Sequence, residues 1–448
     1  MSILNKKVAA ALTAFTMTAA LFAGCGNTAS DSSETSSDVS SSESVNDSTE
    51  QAEDTEAAAS DEWVELDQSE ITEAMGMGWN LGNQLEASSN KVPSETAWGN
   101  PVITEDLIKA VKAHGFSTVR IPVSYLSKIG EGPDYTIDAD WLNRVQEVVD
   151  YVVDNDMYAV MNIHGDGYYT VDGGWLLCAE DDEAQTEIKA KYEAVWQQIA
   201  DKFKDYDEHL IFESMNEEFN NDYGKPVAEA YANINAYNQI FVDTVRGTGS
   251  NNTKRWLLIP GWNTNIEYTA GDYGFVIPED SKCEADGNRL MISVHYYDPY
   301  NFTLDENASS AKTQWGQYAV ENKDNWGQED YVDSQMQKLN DKFVSQGYPV
   351  IIGEMGTVDK SYLDENMPAF RRYWAEYIVK AAKANGIVPI YWDNGWNGKN
   401  GFALFDRTTL EITHPEIIEG MIRAITSDSD YEIPAVTIET AEETSAEE

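Results

Sequence analysis

The chain has 448 residues and a formal net charge of −48, so it is long enough for one large domain or two ordinary ones. Because that charge repels phosphates, it argues against a nucleic-acid partner and fits a neutral substrate. Hydrophobic residues make up 42%, which permits a sizeable core, and the 13 Trp and 24 Tyr suggest an aromatic surface of the kind that stacks on sugar rings.

The first 25 residues have the pattern of a targeting segment. Lys6 and Lys7 precede an apolar run that ends in Gly-Cys at Cys25. We expect residues 1–25 to be a bacterial lipoprotein signal peptide and Cys25 to be lipidated, although Phe22 stands where Leu is usual in this signal. A plain signal peptide and a single membrane helix are the alternatives, but the run is short for a helix of about 20 apolar residues that spans a membrane.

Residues 26–62 are rich in Ser, Thr, Asp, Glu and Ala, and 26–60 contain no Lys, Arg or aromatic residue. Such a composition cannot bury enough apolar surface to offset the entropy of ordering, so it predicts a disordered acidic linker. Residues 428–448 predict a disordered acidic tail, which leaves 63–427 as the globular domain. We expect an extracellular protein anchored to the bacterial cell membrane through Cys25, or otherwise secreted.

Apolar, strand-like runs alternate with amphipathic, helix-like segments through the globular domain. The segments 104–115 and 139–156 carry apolar residues at helical spacing, and strand–helix alternation is typical of a parallel sheet. The runs are 78–84, 118–124, 158–164, 210–217, 255–261, 290–297, 349–356 and 387–394. Eight such units predict a single (β/α)8 TIM barrel, and the absence of a Gly-rich turn after the first run argues against an open nucleotide-binding sheet.

Polar residues stand near the carboxyl end of nearly every run, where this architecture places its active sites. These residues are Asn83, Arg120, His164, Asn216, Glu217, His295, Tyr297, Glu354 and Trp392. A polar residue at one strand end is commonly a solvated turn, but their recurrence over eight runs indicates a shared site.

The two acids Glu217 and Glu354 end the fourth and seventh runs, which face each other across the mouth of an eight-stranded barrel. Two carboxyl groups across a cleft can hydrolyse glycosidic bonds. A separation of about 5 Å gives retention of the anomeric configuration and about 8 Å gives inversion. A narrow barrel favours the shorter distance, so we predict retention.

The neighbouring residues suggest a role for each acid. Arg120 and Tyr297 would keep Glu354 ionised as the nucleophile, whereas the second carboxylate and a dry aromatic wall would raise the pKa of Glu217 and keep it protonated as the acid. Asn216 can bind the hydroxyl beside the anomeric carbon. The histidines His164 and His295 can bind hydroxyls or orient the acids, and the stacking candidates are Trp392, Trp262 and Trp98.

These motifs together resemble glycoside hydrolase family 5, and are closest to its endoglucanase branch that contains xyloglucanases. The resemblance runs in order through GWNLGNQLEA, ETAWGNP, TVRIPVSY, MNIHGDG, ESMNEE, SVHYYDPY, IIGEMG and YWDNG. It implies a (β/α)8 barrel, a retaining mechanism without a cofactor, Glu217 as acid/base and Glu354 as nucleophile. It also implies that the supporting residues are Arg120, His164, Asn216, His295, Tyr297 and Trp392.

The family usually has Pro directly after its acid/base Glu, and this chain has Glu218 there. The extra carboxyl group could raise the pKa of Glu217 or reshape the following loop. We expect a retaining endo-β-1,4-glucanase, with xyloglucan, mixed-linkage glucan or mannan as alternative substrates and a non-catalytic glycan-binding lipoprotein as the alternative function.

The remaining expectations concern partners and cysteines. The scattered His and Cys residues do not have metal-ligand spacing, so no metal is predicted. We expect a monomer that binds a β-glucan polysaccharide and lies at the membrane through its lipid anchor. The sequence leaves open whether Cys178 and Cys283 pair or stay free.

Overall fold

Eight parallel strands close into a barrel in the computed structural model, which describes residues 63–428 and 430–438. Each strand pairs with its neighbours in the sequence, and the first also pairs with the last, so that Gly78 aligns with both Thr118 and Ile390. The strands are β1 (Gly78–Leu81), β2 (Thr118–Ile121), β3 (Tyr158–Asn162), β4 (Leu210–Glu213), β5 (Leu257–Asn265), β6 (Leu290–Tyr296), β7 (Val350–Met355) and β8 (Ile387–Asp393).

Helices lie between the strands, and all eight predicted runs contribute to the barrel, so the predicted (β/α)8 fold is confirmed. The helices are α1 (Gln68–Met75), α2 (Glu105–Ala113), α3 (Ala139–Val153), α4 (Asp182–Phe203), α5 (Ala228–Gly247), α6 (Ile266–Ala270), α7 (Tyr300–Thr303), α8 (Glu329–Lys342), α9 (Met367–Ala384) and α10 (Pro415–Thr426). A short antiparallel hairpin joins Ser88–Ser89 to Val92–Pro93 on the loop after β1.

Helix α3 illustrates how the sequence sets these elements. Asp138 caps its first turn by accepting a hydrogen bond from the backbone N–H of Trp141 at 2.9 Å. Val145, Val149 and Val152 recur at helical spacing and are fully buried in the layer between the barrel and the helices. This apolar face, rather than intrinsic propensity, supplies most of the stability of such a helix.

The amino-terminal end of the barrel, called the base below, is closed by α1. Asp67 and Glu70 form a capping box at its start, and Ile71 and Met75 point into the barrel with no exposed surface. They pack on apolar side chains of the strands, namely Val160, Ile211, Leu258, Met291, Ile351, Val388 and Ile390. The carboxyl ends of the strands form the opposite end, called the mouth.

The fourth strand is shorter than the sequence predicts. It ends at Glu213, and Glu217 lies on the loop that follows. Ser214 N donates to Leu258 O at 2.9 Å and Asn216 N donates to Ile163 O at 3.0 Å. The loop therefore stays bonded to both neighbouring strand segments, and Glu217 is still held at the mouth.

The packed domain continues past the predicted boundary at 427. Residues 430–438 lie along α9, where Lys380 Nζ donates to Tyr431 O at 2.7 Å and Val436 is buried. The predicted signal peptide, linker and lipidated Cys25, and the last residues of the predicted tail, lie outside the described residues. Within the part that is described, no helix has the length and apolarity needed to cross a membrane. Cys178 is buried, Cys283 is partly exposed, and both are free thiols.

Candidate active site

Arg120 lies at the centre of the polar side chains at the mouth. Its fully buried guanidinium donates from Nε to Glu213 at 2.7 Å, from Nη1 to Glu354 at 2.9 Å and from Nη2 to Asn216 Oδ1 at 2.7 Å. The fork of donors in a planar guanidinium holds these three groups at fixed mutual positions. Burial lowers the pKa of Arg120, but the carboxylates of Glu213 and Glu354 outweigh burial and raise it above its ordinary value.

The two predicted catalytic acids face each other beside this arginine. Glu354 accepts a hydrogen bond from Tyr297 Oη at 3.0 Å in addition to that from Arg120. His295 Nδ1 lies 2.6 Å from Glu217 Oε1 and 3.5 Å from Glu354 Oε2. One carboxylate oxygen of Glu217 and one of Glu354 lie within 4.8 Å of each other, which is the separation of retaining rather than inverting glycosidases.

The pKa values of the two acids are shifted in opposite directions. Burial raises the pKa of Glu217, but the contact with His295 and the hydrogen bond from Tyr168 outweigh burial, so this pKa lies below its ordinary value. Burial also raises the pKa of Glu354, and His295 and Arg120 oppose it without overcoming it. The predicted order of the two pKa values is therefore reversed, because His295 Nδ1 lies nearer to Glu217.

The other predicted polar residues divide into two groups. His164 is buried at the mouth, and its ring stacks on Trp392 with a centroid distance of 5.8 Å and an interplanar angle of 11°. Burial and then the charge of Arg120 hold the pKa of His164 well below its ordinary value, so its imidazole is neutral. Asn83 instead occupies a turn with φ +60°, where its carbonyl accepts from Asn100 Nδ2 at 2.9 Å.

The stacking prediction for Trp262 is wrong. Its ring is 1% exposed and packs 5.7 Å from the ring of Tyr231 in the core. A ring without an exposed face cannot stack on a sugar. Trp98 is 46% exposed, and Trp396 is 50% exposed on the loop after β8.

Sequence reasoning missed Glu213, the fully buried partner of Arg120. It also accepts from Asn162 Nδ2 at 2.9 Å and from Ser293 Oγ at 2.7 Å. The available signal was periodicity, since Glu213 stands two positions after Ile211, which faces the barrel interior, and strand side chains alternate with a period of two.

Sequence reasoning also missed Tyr168, which lies on the loop after β3. The Tyr168 hydroxyl donates to Glu217 Oε2 at 3.0 Å and accepts from Asn216 Nδ2 at 2.8 Å. The same loop is fixed by Asp166, whose carboxylate accepts from Ser124 Oγ at 2.6 Å and from Trp175 Nε1 at 2.8 Å. The Gly-rich pattern indicated a turn but not which side chain would enter the site.

Two groups of acidic and histidine side chains have ligand atoms within 4.8 Å of one another in the described part of the chain. They are Glu217, His295 and Glu354 at the mouth, and Asp207, Glu208 and His209 at the base. Protein donors already engage the carboxylates of both groups, including Tyr297 at the mouth and the backbone N–H of Val64 at the base. These contacts explain both groups without assigning a metal to either.

Comparisons with known proteins agree with this geometry. The profile of the family described as cellulase (glycosyl hydrolase family 5) matches residues 82–398, which include both acids. Endoglucanase A from Paenibacillus barcinonensis is 52% identical over 377 residues, which cover 83% of this chain and 93% of that protein.

Two solved structures extend the comparison to three dimensions. A family 5 xyloglucanase from Paenibacillus pabuli superposes with a TM-score of 0.78 and 54% identity, covering 79% of this chain and 99% of that chain. A broad specificity endoglucanase from Bacteroides salanitronis superposes with a TM-score of 0.76 and 41% identity, covering 84% of this chain and 100% of that chain.

Proposed function

Because the chain belongs to glycosyl hydrolase family 5 and is a cellulase-type endo-β-1,4-glucanase, we propose that Glu354 is its nucleophile and Glu217 its general acid and base. The observation that carries this proposal is the short separation of their carboxylate oxygens, at most 4.8 Å, around His295 Nδ1. That separation leaves no space for a water molecule between the Glu354 carboxylate and the anomeric carbon.

The reaction has two displacements. In the first, the Glu354 carboxylate attacks the anomeric carbon while the bond from that carbon to the leaving oxygen breaks, and Glu217 gives its proton to that oxygen. In the second, the Glu217 carboxylate takes a proton from water, and the water oxygen displaces Glu354 from the sugar. Both carboxyl groups return to their starting states, and the anomeric configuration is retained.

Bound substrate favours the protonation states that the first step requires, which are a protonated Glu217 and an ionised Glu354. A glycosidic oxygen that accepts from Glu217 favours the protonated form of this acid, because a hydrogen bond to the neutral form raises the pKa. The positive charge that develops at the anomeric carbon favours the ionised form of Glu354. Arg120 and Tyr297 donate to that carboxylate at 2.9 Å and 3.0 Å and would fix its direction of attack.

The remaining mouth residues fit the recognition of a neutral sugar. Asn216 is held by Arg120 and by Tyr168, in a position to bind the hydroxyl beside the anomeric carbon, where contacts strengthen in the transition state. Trp392, backed by the ring of His164, is the stacking surface next to the acids. We propose an unbranched β-1,4-glucan as the main substrate, and the 54% identity to a xyloglucanase makes xyloglucan the second candidate.

For the cellular setting, we propose a monomer that is tethered at the outer face of the bacterial membrane by acyl chains on Cys25. The support is the Gly-Cys that ends an apolar run after Lys6 and Lys7, followed by a long acidic segment. Expression of the full chain with a radiolabelled fatty acid should label the wild type and not Cys25→Ala. Release of the wild type by a salt wash would contradict the anchor, and light scattering of residues 63–448 tests the monomer.

The activity itself is tested on barley β-glucan, carboxymethylcellulose, xyloglucan and glucomannan, with products resolved by size. We expect short oligosaccharides to appear early from at least one unbranched β-1,4-glucan, and none from the matched variant Glu354→Gln. Retention of both proteins on a glucan gel without release of any product would support a glycan-binding protein instead. Faster release from xyloglucan than from the unbranched polymers would identify the second candidate as the main substrate.

A further inference from the structure

Glu218, the residue after the proposed acid/base, is buried directly beneath the loop that carries Tyr168. Its side chain is 1% exposed, and Oε2 has no hydrogen-bond partner. A Cβ atom added to Gly167 would lie 1.6 Å from Glu218 Oε2 and 2.1 Å from Oε1. Gly167 does not adopt a positive φ, so what a larger residue would meet at this position is the Glu218 carboxyl group, which would have to move.

The segment above Glu218 is fixed at both of its ends. On one side, Asp166 accepts from the backbone N–H of Tyr125 at 2.9 Å as well as from Ser124 and Trp175. On the other side, the Tyr168 hydroxyl reaches Glu217 Oε2 at 3.0 Å. Gly167 links these two residues in the chain. The distance between Gly167 and the Glu218 carboxyl group therefore determines where the Tyr168 hydroxyl can lie.

We propose that Glu218 is a positioning residue: its carboxyl group packs under Gly167 and thereby sets where Tyr168 holds the acid/base Glu217. This inference rests on the proposed role of Glu217. It assigns a role to a side chain that contacts neither the anomeric carbon nor the nucleophile.

The charges around Glu218 determine the form in which it packs. Burial raises its pKa well above the ordinary value, and the carboxyl groups of Asp166 and Glu217 raise it further. The other titratable groups that interact with it from the loop, α4 and α5 are acids that are neutral at neutral pH, namely Tyr168, Tyr169, Cys178, Tyr192 and Tyr237. Burial and these neighbours favour the neutral carboxylic acid form of Glu218 beneath Gly167, and ionisation of Glu218 would make its carboxylate repel that of Asp166.

The first test compares two aryl β-cellobiosides with wild type and Glu218→Ala. The 2,4-dinitrophenyl leaving group needs no proton, whereas the phenyl leaving group needs one from Glu217. We expect Glu218→Ala to lower kcat/KM about tenfold for the phenyl glycoside and by less than about twofold for the dinitrophenyl glycoside. An equal fall in kcat/KM for both glycosides, or no fall for either, would overturn the proposal.

Glu217→Ala separates this result from the proposed function. If Glu217 is the acid, the kcat/KM of this variant falls about 10²-fold or more for the phenyl glycoside and little for the dinitrophenyl glycoside. If Glu217→Ala shows no such difference, the proposed role of Glu217 fails. If Glu217→Ala shows it and Glu218→Ala does not, only the positioning role fails.

The second test uses the steric pair. Gly167→Ala places a Cβ against the Glu218 carboxyl group, and we expect kcat/KM for the phenyl glycoside to fall about tenfold or more. Adding Glu218→Ala removes the obstruction, so the double variant should recover to the level of Glu218→Ala alone. A double variant that loses the product of the two single effects would contradict the steric coupling.

The third test concerns the protonation state. With Glu218→Gln, the alkaline limb of the kcat profile, which reports Glu217 in the enzyme–substrate complex, should stay in place, because a neutral amide replaces a neutral acid. If Glu218 were an anion, the amide would remove a negative charge beside Glu217, lower the pKa of Glu217 and move that limb down by about one pH unit. Such a shift would overturn the neutral, packing role.

Discussion

Two fully buried arginines, Arg120 at the mouth and Arg255 at the base, have different roles although both use a guanidinium group. Arg120 donates to the side chains of Glu213, Glu354, Asn216 and Asn80. Arg255 donates mainly to backbone carbonyls, which belong to Phe203, Tyr206, Asp207 and Leu210, and to Asn252 Oδ1. Burial lowers the pKa of Arg255 to about 9, whereas carboxylates raise that of Arg120.

The difference lies in the partners rather than in burial. At the base, a guanidinium satisfies carbonyls at the end of α4 and in the turns before β4 and β5, which is a structural task. At the mouth, it holds carboxylates close together, where their charge can act on a substrate. A buried charge therefore marks a reactive site only when its partners are themselves reactive groups.

The largest expected effect comes from exchanging each arginine for lysine. The three donors of an ammonium lie on one nitrogen and cannot reproduce the planar fork that reaches four separate acceptors, so Arg120→Lys should lower kcat/KM on β-glucan by about 10²–10³-fold. Arg255→Lys should leave kcat/KM of the folded protein within about twofold and lower the free energy of unfolding by about 2–4 kcal/mol, because buried carbonyls lose donors. Kinetics and urea unfolding of both variants measure the two quantities.

The matched pair can fail in an informative way. If Arg255→Lys lost as much activity as Arg120→Lys at equal folded concentration, the base would not be purely structural. If Arg120→Lys kept its activity, the arginine would not organise the acids, and the separation between mouth and base would have no functional meaning.

A second prediction uses pH, through Glu86 on the loop after β1. Burial raises its pKa from 4.5 to about 7, against hydrogen bonds from the backbone of Asn83 and Gln84. The folded state keeps this proton where the unfolded state has lost it, so stability falls as pH rises from about 4.5 to about 7, by about 3 kcal/mol. Glu86→Gln should be more stable than wild type at pH 8 and equal to it at pH 4.

The control for this prediction lies at the base. Burial raises the pKa of Asp207, but its bonds with His209 outweigh burial, so that pKa lies below its ordinary value. Its stabilising effect is present above the unfolded pKa and is lost as pH falls through the folded pKa. Asp207→Asn should therefore be less stable than wild type at pH 8. If Glu86→Gln and Asp207→Asn changed the free energy of unfolding in the same direction at pH 8, the opposite pKa shifts of Glu86 and Asp207 would be contradicted.

A third prediction concerns the tyrosine above Glu217. Tyr168→Phe removes the hydroxyl that donates to Glu217, so we expect kcat/KM on β-glucan to fall about tenfold. That hydrogen bond also lowers the pKa of Glu217, so the alkaline limb of the kcat profile, which reports Glu217 in the enzyme–substrate complex, should move to higher pH. The base control is Tyr206→Phe, which loses contacts with Asp150 and Gln146 and should lose about 1 kcal/mol of stability but no activity.

An unchanged alkaline limb in Tyr168→Phe would mean that the hydroxyl does not contact the acid/base during the reaction. A loss of activity in Tyr206→Phe would mean that the base transmits strain to the mouth.

The smallest expected effect comes from an exposed ring. Trp396→Ala removes a half-exposed indole on the loop after β8, and KM for a polymer should rise about threefold with stability unchanged. The base control is Trp63→Ala, which loses a ring that packs under Lys254 and should leave KM unchanged. If both variants had the same KM, Trp396 would not contact substrate.

The sequence was sufficient for the barrel and for most of the mouth, because both depend on local patterns. Alternating runs identified all eight strands, and polar residues near their carboxyl ends identified Arg120, Asn216 and Glu354. The end of the fourth strand was predicted too late, since Glu217 lies beyond β4 on a loop that is held by hydrogen bonds to neighbouring segments. A pattern of apolar residues does not show where such bonds replace the regular ladder.

What the sequence did not predict depends on contacts between distant residues. Glu213 interrupts an apolar strand and is stabilised by Arg120, which lies 93 positions away. The position of Trp262 in β5 suggested a stacking residue, but its ring packs against Tyr231 in the core. The order of the acid pKa values depends on a difference of less than one ångström between the two distances from His295 Nδ1, which no sequence pattern encodes.

The proposed reaction requires that Glu354 forms a covalent bond with the sugar while Glu217 moves the proton. The most direct test is to incubate the protein with 2,4-dinitrophenyl 2-deoxy-2-fluoro-β-cellobioside and to locate the trapped sugar by mass spectrometry of peptides. We expect one sugar per protein, attached to Glu354, with loss of activity in parallel. A label on Glu217, or no label from a protein that releases products of inverted configuration, would contradict the claim.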